Sequence, residues 1–75
     1  MTYSKESLND LKVNFNYQQR EGDRSLTRHE VMLLGWLISN SEGRSYRQIM
    51  EECKLSIPQI DATIEGLIDI GLLFP

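Results

Sequence analysis

The segments TRHE (27–30), SYRQ (45–48) and SIPQ (56–59) share one pattern, a hydroxyl residue followed three positions later by Glu or Gln. In that arrangement the hydroxyl accepts a hydrogen bond from an unpaired N–H of the first helical turn, and the acid or amide reaches back to the N–H of the cap. Each box leads into an apolar run, so three helix starts are set within 75 residues, which leaves little chain for anything else. The spacing predicts helices over about 28–39 and 46–53 and a third from Ser56 to Ile70.

The first helix is unusual. Leu26 and Val31 stand at the two positions of a hydrophobic staple, but the body (Val31, Met32, Leu33, Leu34, Trp36, Leu37 and Ile38) is apolar all round. Such a helix has to be covered on both sides, by the other helices on one and by residues 3–17 or a second subunit on the other. SNSEGRS then forms a turn, with Gly43 free to take a positive φ. The second helix is expected to bury Ile49, Met50 and Cys53.

In the third helix Pro58 falls in the first turn, where its missing N–H costs no hydrogen bond. Ile57, Ile60, Ile64, Leu67 and Ile68 make its apolar stripe, Gly71 stops it, and a strand follows. Ahead of the first helix, Leu8 and Leu11 fit a short helix over about 4–12, while Val13, Phe15 and Tyr17 alternate with polar residues as a half-buried strand does. This segment is expected to act as a lid on the back of the first helix, with QQREGDRS as the connection.

A chain of 75 residues is one domain, burying only about 60% of its unfolded surface, so every large apolar residue has to be placed. The start of the sequence is polar where a secretion signal would be apolar, and the longest apolar run, VMLLGWLI, is too short to span a bilayer. A single cysteine, Cys53, cannot form an internal disulfide. The expectation is a soluble cytoplasmic protein with no membrane partner. A net charge of −3 gives no general attraction to phosphate.

From Leu26 to Phe74 the sequence resembles the winged helix-turn-helix domains of MarR-type bacterial transcription regulators. The residues that carry the resemblance are LTRHEVMLLGWL, IMEECKLS, then Ile60, Ile64, Leu67 and the closing GLL. It implies a mostly α, three-helix winged-helix-like domain over 26–75, with residues 1–25 as an N-terminal arm or lid. It also implies DNA binding and transcription regulation, the third helix entering the major groove. Because the sequence closes at Phe74-Pro75, the wing is expected to be minimal or absent. Lys54 stands where the turn usually has glycine.

For DNA, Arg44, Arg47 and Lys54 around the second helix and Arg20, Arg24 and Arg28 near the first are expected to form a rim toward phosphates. Gln59 would read adenine, and Ser56 or Thr63 would touch a phosphate or base edge. Yet every charged residue of the third helix is acidic, with Asp61, Glu65 and Asp69 recurring one turn apart. The alternative is therefore a protein-binding module that modulates a regulator or nucleic-acid machine. Its contact face would be Pro58, Ala62 and Gly66, small enough for another helix or strand to approach, with the acidic ridge meeting a basic partner.

Nothing points to catalysis, a cofactor or a metal. One His and one Cys lack zinc-ligand spacing, and no glycine-rich phosphate loop is present. His29 is expected exposed in the first turn of its helix, and Cys53 is expected to be a small core residue.

Overall fold

A computed structural model describes residues 8, 10–18 and 24–74. The chain runs β1 (Lys12–Val13), α1 (Arg28–Ser39), α2 (Tyr46–Cys53), α3 (Ile57–Asp69) and β2 (Leu73–Phe74). It is mostly helical, with one two-stranded antiparallel sheet. The expected helix over 4–12 falls largely on residues outside those described, and Lys12 belongs to a strand.

The capping chemistry places the helix starts. Thr27 Oγ1 accepts the Glu30 N–H at 3.2 Å, and Glu30 Oε1 accepts the Thr27 N–H at 2.9 Å. Ser56 and Gln59 form the same reciprocal pair at the start of α3. At α2 only the forward bond forms, from the Gln48 N–H to Ser45 Oγ. The stops are equally local. Lys54 ends α2 in the left-handed region at φ 59°. Gly71, at φ 87°, ends α3 with its N–H on the Ile68 carbonyl, while the Leu72 N–H bonds the Leu67 carbonyl. That bond pair caps the carbonyls which the last helical turn leaves open.

Leaving α3 at Leu72, the chain turns back along the N-terminal segment. Lys12 pairs with Phe74 and Val13 with Leu73, and the Asn14 N–H extends the ladder to the Leu72 carbonyl. Asn14 then ends the strand, because its Oδ1 accepts the Asn16 N–H and its side-chain amide donates to the Gly71 carbonyl. The strand expected over 13–17 is thus cut short, and Phe15 lies in the turn, 76% exposed, while Val13 and Tyr17 still pack on the core.

Leu33 and Leu37 of α1, Ile49 of α2 and Ile60, Ile64 and Leu67 of α3 are fully buried together with Leu8, Leu11 and Leu73. Two stripes are rotated from expectation. In α2 it is Tyr46, not Met50, that joins Ile49 and Cys53 in the interior. In α3 Thr63 is buried while Ile57 is exposed, and α1 packs on this helix with Glu30 set against Gly66. The outer side of α1 is covered only in part: Trp36 is half-buried, whereas Val31, Met32 and Ile38 are exposed. Among the described residues no helix is long and apolar enough to cross a membrane.

Candidate functional site

The candidate surface comprises α2, the connection through Lys54 and Ser56, and the outward side of α3. Arg47 is almost fully exposed, with Glu51 one turn on at 3.5 Å, so part of its field is cancelled at the surface. Lys54, at the other end of α2, is exposed. Ser56 and Gln59 are exposed as well, but Ser56 Oγ and Gln59 Oε1 are both engaged in the cap.

Arg44 lies elsewhere. Its side chain is interior, with Nε donating to the Asn40 carbonyl at 2.5 Å and Nη2 to the Leu37 carbonyl at 2.7 Å. Nη1 donates to the Leu11 carbonyl at 2.5 Å and reaches the Leu8 carbonyl at 3.4 Å. One guanidinium thereby ties the end of α1 to the N-terminal segment, and burial lowers its pKa from the ordinary arginine value. It is not part of a surface rim. Thr63 is also interior, its hydroxyl donating to the Gln59 carbonyl one turn back at 2.6 Å. Four of the six residues expected to face nucleic acid (Arg47, Lys54, Ser56 and Gln59) are therefore exposed, and Arg44 and Thr63 are not.

The remaining cations divide similarly. Arg24 forms a two-pronged pair with Glu30, at 2.7 and 2.6 Å, and adds a bond to the Gly66 carbonyl. The Glu30 side chain is buried, and the Arg24 guanidinium holds its carboxyl down at about 2 against the opposing effect of burial. Arg28 is exposed, and Arg20 lies outside the described residues.

Of the face expected to meet a protein, Pro58 and Ala62 are exposed. Gly66 is half-covered: a Cβ there would run into Glu30 Oε2 and approach Arg24 Nη2 to 3.1 Å. Its lack of a side chain thus serves α1–α3 packing. Around Ala62 the surface is acidic. Glu65 and Asp69 are exposed, and half-buried Asp61 accepts a hydrogen bond from the Tyr46 hydroxyl.

Several of these residues had no signal in the sequence. The sequence marks Glu30 as a cap, but nothing in it points to Arg24 as its partner. Trp36 Nε1 donates to Glu52 Oε1 at 3.0 Å, a pairing that depends on how α1 and α2 pack. Cys53 is buried and its thiol pKa is raised by that burial, with the neighbouring Glu52 charge acting in the same direction. Among the described residues no group of three His, Cys, Asp or Glu side chains is placed to hold a metal ion. Comparison with family models, curated proteins and solved structures finds no match to this chain.

Proposed function

We propose that this chain is a helix-turn-helix-like domain that works by binding a basic partner protein along the outward side of α3, and so modulates a regulator without reading DNA. The helix-turn-helix reading is supported by the short connection from Lys54 to Ser56 between α2 and α3, and by α1 packed against α3. The observation that carries the protein-binding reading is the disposition of charge. Arg44 is committed to internal carbonyls and Arg24 to Glu30, while the exposed side of α3 bears Glu65 and Asp69 and no cation.

A helix entering the major groove brings its flanks within a few ångströms of phosphates, where carboxylates are repelled. The same carboxylates beside Pro58 and Ala62 suit a partner with a basic helix or strand, since opposite charge steers association and sets register.

The test is a titration of mixed-sequence duplex DNA at low salt, followed by fluorescence anisotropy. No saturable binding is expected from the wild type, and Glu65→Lys combined with Asp69→Lys is expected to create salt-sensitive binding. Saturable wild-type binding whose salt dependence flattens by about one unit of slope in Arg47→Ala would overturn the proposal. A photo-cross-linker at position 62 is expected to capture a basic protein in cells, and Ala62→Arg to abolish that complex.

A further inference from the structure

The apolar covering of α1 stays incomplete among the described residues. Val31 is 55%, Met32 37% and Ile38 49% exposed, and they share with Gly35 the side of the helix opposite its buried Leu33 and Leu37. A groove of about 300 Å³, lined by Val13, Phe15 and Ile38 but also by Lys12, Ser41 and Arg44, continues this surface toward β1. Nothing among the described residues accounts for Gly35. A Cβ built there meets nothing within 4 Å, yet glycine is the poorest helix former apart from proline and stands in mid-helix. A bare glycine on an exposed helix face is what close approach of a second backbone requires.

Charge is arranged end to end along the same helix. Arg28 opens α1, where the helix dipole disfavours a cation, and it pairs with no described residue. Glu42, also without a partner among the described residues, lies exposed just beyond the other end, whose carbonyls Arg44 already meets.

We infer that α1 docks antiparallel on α1 of a second copy of this chain, about a two-fold axis that passes near Gly35. The two-fold sets Arg28 of each copy toward Glu42 of the other, and brings Met32 opposite Ile38 of the other copy. A parallel pairing would put Arg28 against Arg28 and align the dipoles, so charge selects the antiparallel one. A helix of 12 residues is about 18 Å long. Its face buries less than the roughly 800 Å² per partner of a standard stable complex, so the dimer is a weak, reversible one. This inference does not rest on the function proposed for α3, and the DNA titration leaves it untouched.

Sedimentation velocity on the full chain, from low micromolar to submillimolar concentration, tests it. A monomer–dimer equilibrium is expected, weakened at least about tenfold by Gly35→Leu or Ile38→Glu, both at exposed positions. Arg28→Glu and Glu42→Arg are each expected to weaken it a few-fold, and the double variant to recover wild-type affinity, while circular dichroism confirms that every variant is folded. A chain that stays monomeric throughout, a dimer indifferent to Gly35→Leu and Ile38→Glu, or a charge swap that fails to recover affinity would each overturn the inference.

Discussion

Arg44 places a cation where a domain this small would ordinarily keep an aliphatic side chain. Desolvating a guanidinium is costly unless its donors are satisfied, and here they meet carbonyls of Leu11, Leu37 and Asn40. Arg44→Met keeps a stem of similar length but leaves those acceptors without their donor, and is expected to cost about 3 kcal/mol in urea unfolding. Glu30 gives a pH signature of definite sign. Its folded pKa of about 2 lies below the ordinary 4.5, so the unfolded chain holds the proton more tightly. The stabilisation is complete above the unfolded value and is lost as pH falls from 4.5 toward about 2. Glu30→Gln is therefore expected to be less stable at neutral pH and to lose stability less steeply over that acidic interval, as measured by denaturant unfolding.

The helices contain two mid-element glycines of opposite consequence. At Gly35 added volume meets open space, and Gly35→Ala is expected to stabilise the dilute monomer by up to about 1 kcal/mol through helix propensity. At Gly66 the same change forces the buried Glu30 carboxylate aside and disturbs its pair with Arg24. Gly66→Ala is expected to destabilise by roughly 1–3 kcal/mol, despite the favourable propensity. Thermal melts of the two variants should move in opposite directions. Lys54 ends α2 in a left-handed conformation that costs a residue with a Cβ about 1–2 kcal/mol. Glycine removes that strain but gains freedom in the unfolded chain, so Lys54→Gly is expected to raise stability by less than about 1 kcal/mol, seen as a small rise in melting temperature.

The N-terminal segment is an integral part of the core. Leu8 and Leu11 are completely buried, β1 supplies the partner of β2, and the Leu8 and Leu11 carbonyls receive Arg44. Replacing Leu11 by Ala is expected to cost about 2–5 kcal/mol, comparable with the roughly 3–5 kcal/mol that a core of this size supplies. A fragment of residues 26–75 would lose all three contributions together. It is expected to show no cooperative thermal transition by circular dichroism, and a sharp transition would show that the helices form a domain without the segment before them.

The bounds of the three helices were legible from the chain alone, because Thr27–Glu30 and Ser56–Gln59 act on backbone groups within one turn of themselves, and Gly71 acts on the turn just before it. The presence of buried stripes in α2 and α3 was legible for the same reason, since helical period is a property of neighbours. Their rotation was not: Tyr46 replaces Met50 and Thr63 replaces Ile57 in the interior because of where other helices cross. The candidate surface divides along the same line. Arg47, Lys54, Ser56, Gln59, Pro58 and Ala62 are exposed as their positions suggested, while Arg44 and Thr63 are interior and Gly66 is half-covered. An arginine in a polar turn reads as surface until the carbonyls of Leu8 and Leu11 are brought to it, and a glycine reads as open until Glu30 arrives from another helix. Those partners are distant along the chain, and burial and pairing are properties of what packing brings together.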